Sequence, residues 1–481
     1  MTDIYKGIEG VEPQAVLKCF CDLSALPRMP GKQKQVSDFL ANYVRGLGLP
    51  CVQDTHLNVI ARKPASPGYE AAPPVMLQAH MDMVCEKDPG VVHDFTKDPL
   101  TLLREGDKIT ADGTTLGADN GVGVAFIMAL LADKESRHPA LETVFTTDEE
   151  TDMGGAFALD YSQFKSRTII NLDSTAVVVC GSGELEVEMR FAKQVVPITS
   201  GSVQYNIKIG GLIGGHTGAN AMAERGNAIV HLNRLLLALD KKVDYQLITV
   251  QGGAGMSSAF ARNAECTIAF APAALAEVKA IVAEHLAVYR QELKQRDPGI
   301  TVEMLPGAES HTAALAPATA TTLKRLLAIS PDGVFSFNRD FPGAMESCSN
   351  VGVVETYERE IFVTILIRSV IAGKKYYLYD KVTMLCDALG VSHCIGRDLP
   401  HWDYKVDDKM AKLLQEVYPD REPFISQGTV ECGIFCANLP DATVIALGSP
   451  YYNPHSPREY FLISETEVYW KRLLDFLAKL K

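Results

Sequence analysis

Several residues in this chain have the types and spacing to hold metal ions and to use them in hydrolysis. In LQAHMDMV, His80 and Asp82 stand two apart at the end of an apolar run, so both side chains can point to one side with Asp82 orienting the imidazole. Alone, the pair equally suits a histidine that only satisfies its hydrogen bonds. GTTLGADNGVG (113–123) puts Asp119 in a glycine-rich turn just before an apolar helix. An N-cap is the plain reading. A carboxylate there could also give one oxygen to each of two metals, with the glycines letting backbone come close. FTTDEETDMGGA (145–156) gathers Asp148, Glu149, Glu150 and Asp152 after another apolar run. That much negative charge is costly unless it is solvated or neutralised by cations. Consecutive Glu149 and Glu150 diverge in direction, which fits one as a ligand and the other as a base that deprotonates water. Asp173 in IINLDST and His455 in the proline-bounded YYNPHSPREYFLIS bring the donors to two imidazoles and three carboxylates. Such a nitrogen and oxygen set suits zinc, with cobalt or manganese as substitutes.

The elements that must position these residues read as α/β. Residues 32–47 carry Val36, Phe39, Leu40 and Val44 at helical spacing, and Gly48 closes the helix. VMLQA (75–79), TVFTT (143–147) and TIINL (168–172) are short apolar runs followed by polar residues. A helix-like GVGVAFIMALLADK (121–134) lies between the first two, which predicts a mostly parallel sheet flanked by helices. His80, Glu149 and Asp173 each follow a strand, where ligands gather in such sheets. From about residue 187 the texture changes to alternating strands, GELEVEMRF and VQYNIKIGGL, around a helix over 219–239, then a second strand and helix set to about 385. This predicts an inserted α+β domain over 187–396, with an internal duplication but no clean sequence repeat, between two parts of a catalytic domain at 1–186 and 397–481.

Composition sets the class. A chain of 481 residues, 47% hydrophobic and 22% charged, is long enough for two domains and suits a globular enzyme. Its net charge of −13 disfavours nucleic acid and anionic membranes as partners. The N-terminal segment has no apolar core behind a basic start, and no later stretch is apolar enough to cross a bilayer, so the expected location is the cytoplasm. Eleven scattered cysteines suit reduced thiols, Cys432 and Cys436 included.

The order His-x-Asp, Asp in a glycine-rich turn, Glu-Glu, Asp and a late His-Ser-Pro resembles the co-catalytic zinc aminopeptidase and carboxypeptidase family. The likeness is most specific to its aminoacyl-histidine (Xaa-His, β-alanyl-histidine or carnosine) dipeptidase branch. It also takes in LPRMPGKQKQV, GGLIGGHTGAN (210–220), SNVGVVE (349–355), IRS (367–369) and ECGIF (431–435). The resemblance implies a metal-dependent dipeptidase with two zinc ions per chain. Asp119 would bridge them, His80 and Asp173 would hold one, and Glu150 and His455 the other. Glu149 would be the general base and Asp82 the partner of His80. In the lid, His216 would contact the reacting carbonyl, Arg368 would bind the substrate carboxylate, and Asn350 would add a hydrogen bond.

The chain departs from that branch at Gln427 to Cys432, at Leu399 to Trp402 and at Ser258 to Arg262, so a histidine preference does not follow from the likeness. Glu431 reads either as a satisfied polar group or as a support beside the metals. His56, His93, His231, His285 and His311 lack a matching context and read as structural or exposed. Two alternatives stay open: an N-acyl amino acid deacylase of the same architecture, and a non-catalytic metal-binding protein, against which the retained Glu149 argues. The partner expected is a small dipeptide, and a homodimer is allowed but not required.

Overall fold

The computed structural model describes residues 7–253, 255–307, 310–339 and 341–481. The chain separates into two compact units, one of Met1–Gly181, Trp402–Ile425 and Val430–Lys481, the other of Ser182–His401 and Ser426–Thr429. The crossings lie at 181/182 and 401/402 rather than at 186/187 and 396/397, because the strand Gly183–Ala192 pairs along its length with Ser392–Leu399 inside the second unit. Residues 426–429 join that unit through Ser182, whose N–H donates to the Ser426 carbonyl (3.0 Å) and whose hydroxyl donates to that of Gln427 (2.9 Å).

The first unit is built on a sheet whose strands run in the order Cys51–Gln53, Val59–Lys63, Leu141–Thr146, Val75–His80, Thr168–Asn171, Thr443–Leu447, Val177–Gly181, Phe424–Ser426. The four central strands, Leu141–Thr146 to Thr443–Leu447, are mutually parallel, and antiparallel strands flank them. Two of them, Val75–His80 and Leu141–Thr146, are buried at every position, as a sheet covered on both faces requires. The helix Ala118–Ala132 is apolar all round and buried nearly throughout, packed between the strand Val75–His80 and the helix Gln14–Ser24. Trp402 anchors the returning chain: it is buried, and its indole N–H donates to the Val444 carbonyl (3.0 Å).

The second unit carries an antiparallel sheet with a duplication that is topological. The first set runs strand Val203–Gly210, helix Ala228–Leu239, strands Tyr245–Gly252 and Ala264–Phe270, helix Leu275–Glu292, strand Thr301–Pro306. The second runs Gly183–Ala192, helix Pro317–Ile329, Met345–Thr356, Glu360–Ser369, helix Ala372–Leu389, Ser392–Leu399. In each set the strands lie side by side as fourth, first, third, second, and the two second strands meet where Gly252 pairs with Val354. The first set is threaded between the opening strand and first helix of the second, which hides the repeat from a linear reading. One apolar core, with Leu185, Ile207, Leu232, Ile268, Leu323 and Ile365 among its members, serves both. The helix expected over 219–239 begins only at Ala228. Asn227 caps it by accepting from the N–H of Ile229 (3.0 Å) and Val230 (3.4 Å), and the residues before it form a loop with a short 3-10 turn.

Candidate active site

All seven residues of the first unit singled out from the sequence converge at the carboxyl ends of the central strands. His80 ends the strand Val75–His80. Its Nε2 lies 3.3 Å from Asp119 Oδ1, 3.8 Å from Asp173 Oδ2 and 4.0 Å from Glu149 Oε2. His455 Nε2 lies 3.4 Å from the other Asp119 oxygen, Oδ2, and 3.2 Å from Glu150 Oε2. Asp119 therefore presents one carboxylate oxygen to each imidazole, at the start of a helix whose first residues leave the helical path. His455 sits at φ +60 on a sparsely populated backbone, a cost of about 1–2 kcal/mol for a residue with a Cβ, which helps aim its ring at the carboxylates.

Asp82 is completely buried and does two things. One oxygen lies 3.4 Å from His80 Nδ1, and the carboxylate accepts the backbone N–H groups of Glu149 (3.2 Å) and Glu150 (3.1 Å). One side chain thus fixes the loop that carries the two glutamates and places its charge beside an imidazole. In that loop the four acids divide. Asp148 accepts from the Gly31 N–H (2.7 Å) and from Gln33, and Asp152 accepts from the Gly154 N–H (2.9 Å), so both serve the backbone. Glu149 and Glu150 turn inward.

The electrostatics follow from crowding. Burial, then repulsion from Asp173 and Glu150, raises the Glu149 carboxyl well above its ordinary range, although His80 opposes this. Asp173 is raised by burial and by Asp119. Burial alone would lower His80, but Asp119 and Asp82 outweigh it and raise its pKa. Hydrogen bonds to Asp119 and Glu150 push His455 up to about 11. Burial would raise Asp119, yet the two histidines hold it below the usual carboxylate range.

Five carboxylates, Asp82 included, crowd around two imidazoles, and Glu150 Oε1 is buried without a donor among the described residues. The donor atoms of His80, Glu149 and Asp173 lie within 4.8 Å of one another, as do those of His80, Asp119 and Glu150. These residues fit cations with mixed nitrogen and oxygen ligation. By distance alone Glu149 is as close to His80 as a ligand would be, so its role rests on chemistry rather than on placement.

Beneath the site lies a buried polar chain that sequence reasoning largely missed. Tyr451 donates its hydroxyl to Asp173 Oδ1 (3.0 Å). Glu431 Oε2 accepts from Thr146 (2.8 Å) and Gln78 (2.5 Å), and Gln78 in turn accepts from Asn171 (2.5 Å). Burial pushes the Glu431 carboxyl up to about 7. Glu459 and Arg28 belong to the same support. Their signal in the sequence was only membership of the motifs HSPRE and LPRMP. The eleven cysteines are all free, and Cys432 and Cys436 are buried.

The other residues singled out from the sequence stand in the second unit. His216 Nδ1 faces the N–H groups of Gly218 (3.3 Å) and Ala219 (3.2 Å), so it acts as acceptor and the ring proton sits on Nε2. Arg368 Nη2 lies 3.3 Å from that Nε2. Arg368 is buried: Nη2 pairs with Glu184 (2.8 Å), Nε donates to Thr217 (3.2 Å) and Nη1 to Thr429 (3.0 Å). Arg397 takes the other Glu184 oxygen (2.8 Å). Asn350 is not grouped with these two. Its amide N–H groups donate to the carbonyls of Ser257 (2.9 Å) and Ala259 (3.1 Å), and its oxygen accepts from Asn227 (3.2 Å), which commits it to holding that loop.

The chain belongs to the peptidase family M20/M25/M40, which it matches over residues 76–479. It is 31% identical over 483 residues to the cytosol non-specific dipeptidase of Escherichia coli strain K12, covering 98% of this chain and 99% of that protein. The solved structure of the aminoacylhistidine dipeptidase from Vibrio alginolyticus is similar at a TM-score of 0.88 and 28% identity, over 98% of each chain. An aminopeptidase of Bacillus cereus has a similar fold at a TM-score of 0.60 and 15% identity, over 98% of this chain and 99% of that one. The protein is thus a peptidase of this family. Among the described residues no helix is long and apolar enough to cross a membrane.

Proposed function

We propose that this chain is a dipeptidase working with two zinc ions, which cobalt or manganese can replace. His80 and Asp173 would hold one ion, Glu150 and His455 the other, with Asp119 shared. The observation that carries the reading is the division of the Asp119 oxygens between the two imidazoles, with a carboxyl of raised pKa, Glu149, beside them. Bound there, the ions would supply Lewis-acid polarisation of the scissile carbonyl and make water easy to deprotonate at neutral pH.

The chain's own residues do the rest. Glu149 takes the proton from the attacking water and hands it to the departing amine, a task suited to a carboxyl whose pKa burial raises. Asp82 holds His80 in register and keeps the Glu149 and Glu150 backbone in place. His216 would offer its Nε2 proton to the carbonyl oxygen as charge develops, with the Arg368 positive charge beside its ring. The pairing of Arg368 with Glu184 supports this use over a free clamp for the substrate carboxylate. Asn350 shapes the lid loop. The overlap with a dipeptidase over 98% of this chain, at 31% identity, supports a dipeptide substrate.

The test is hydrolysis of a panel of dipeptides, β-alanyl-histidine and N-acyl amino acids by the purified chain reloaded with zinc, cobalt or manganese, with Glu149→Ala alongside. Metal-dependent dipeptide cleavage that the variant loses is the expected result. Cleavage of N-acyl amino acids alone would replace the reading with a deacylase, and equal activity in both proteins would remove Glu149 as the base.

A further inference from the structure

Two buried ionisable groups that this chemistry does not use grip the Asp119 turn from opposite sides. Glu459 is 2% exposed. Its Oε2 accepts the backbone N–H groups of Leu116 (2.9 Å) and Gly117 (2.8 Å), and its Oε1 accepts that of Asp119 itself (3.1 Å). Arg28, 1% exposed, donates from Nη2 to the Gly117 carbonyl (2.6 Å) and reaches with Nη1 towards the carbonyl of Asp82 (3.5 Å). Gly117 lies between them at φ +66, where a Cβ would run into the Arg28 guanidinium and come within 2.8 Å of the Met83 sulfur. Burial raises the Glu459 carboxyl against the three N–H groups that favour its charge, and it lowers the Arg28 guanidinium against the nearby charge of Glu459.

Such an arrangement is expensive for a mere turn. A type of turn that glycine alone could form is here given a carboxylate accepting three N–H groups and a guanidinium on the intervening carbonyl, all out of water. Glu459 stands four residues after His455, so a single segment supplies one imidazole of the site and the anchor for the carboxylate facing it.

We propose that Glu459, opposed by Arg28, is a positioning residue for metal binding: it fixes the Asp119 turn so that the two carboxylate oxygens stay aimed apart, one at each ion. The proposal rests on the reading of Asp119 as the shared ligand. A glutamine at 459 keeps the size but offers one acceptor oxygen and an NH₂ group. That NH₂ group would face a backbone N–H, and the turn would have to shift.

The experiment is competition of metal-free protein with a chromophoric chelator for zinc, together with cobalt absorption spectra, on the wild type, Glu459→Gln, Glu459→Asp and a control, Glu142→Gln. Glu142 is also a buried carboxylate on backbone N–H groups, but at the opposite end of the sheet. The expected result is a loss of about 10–100-fold in metal affinity for Glu459→Gln, with an altered cobalt spectrum and unchanged affinity in Glu142→Gln. Wild-type affinity and spectrum in Glu459→Gln, with only a lower melting temperature, would overturn the proposal. Should Glu459→Gln fail to fold, Glu459→Asp decides in the same way, with a smaller loss expected and wild-type affinity overturning it. A wild type that takes up no metal is a separate result: it would remove the functional reading first and this one with it.

Discussion

The strand Leu141–Thr146 has a buried acid near one end and leads into buried acids at the other, and the two ends are handled in opposite ways. At the amino end Glu142 is fully occupied: Oε2 accepts from the N–H groups of Lys165 (3.0 Å) and Ser166 (2.9 Å) and from the Ser166 hydroxyl (2.7 Å), and Arg62 lies 3.5 Å from Oε1. At the carboxyl end, Glu149 and Glu150 are pushed towards other carboxylates, and one Glu150 oxygen is buried without a donor. A satisfied buried carboxylate serves stability. A crowded, incompletely satisfied group costs stability, and the cost is recovered when a cation binds.

The comparison can be broken in four places. The largest effect is expected from Glu149→Ala, which should lower kcat about 10²–10⁴-fold while the metal content measured by elemental analysis stays at the wild-type level. Loss of metal along with activity would make Glu149 a ligand instead. Next, the carboxylates favour the protonated forms of His80 and His455 in the metal-free protein, the latter up to about 11. Ligation needs neutral imidazoles, so metal uptake must release protons and affinity must rise with pH through neutrality. Calorimetric titration in buffers of different ionisation enthalpy reads the protons directly, and a heat independent of buffer would contradict the expectation.

Glu142→Gln should then cost about 1–3 kcal/mol in denaturant unfolding and leave kcat alone, because only satisfied backbone donors lose their partner. A drop in kcat there would mean that the amino end of the sheet is not merely structural. The smallest effect belongs to the second unit. Burial, reinforced by Arg234, lowers His231 to about 4, below its ordinary value of about 6.5. A depressed folded-state pKa contributes stability that is complete above the unfolded value and is lost as pH falls through the folded one. The unfolding midpoint should therefore fall between pH 6.5 and 4, and His231→Gln should flatten part of that fall; an unchanged slope would count against the buried neutral ring.

Much of the site was legible because metal ligation is written in residue types. His80, Asp119, Glu150, Asp173 and His455 could be chosen from strand ends and a glycine-rich turn, and the structure brings them together. The parallel sheet was legible for the same kind of reason, in short apolar runs each ending at a polar residue. The lid was harder. Its repeat is interrupted by threading one set inside the other, and the start of the helix at Ala228 depended on an Asn227 cap that the apolar spacing does not reveal.

By itself the sequence determined a candidate ligand set, the α/β class and a candidate base, since each depends on residue identity and near-neighbour spacing. Only the tertiary structure decided which acids of Asp148 to Asp152 face the site, that Arg368 is already paired with Glu184, that Asn350 is tied to its own loop, and that Glu459 and Arg28 grip the Asp119 turn. The physical reason is shared by all four. A buried polar group must find its partners, and here those partners come from chain segments up to 343 residues away, a distance over which local sequence pattern carries no information.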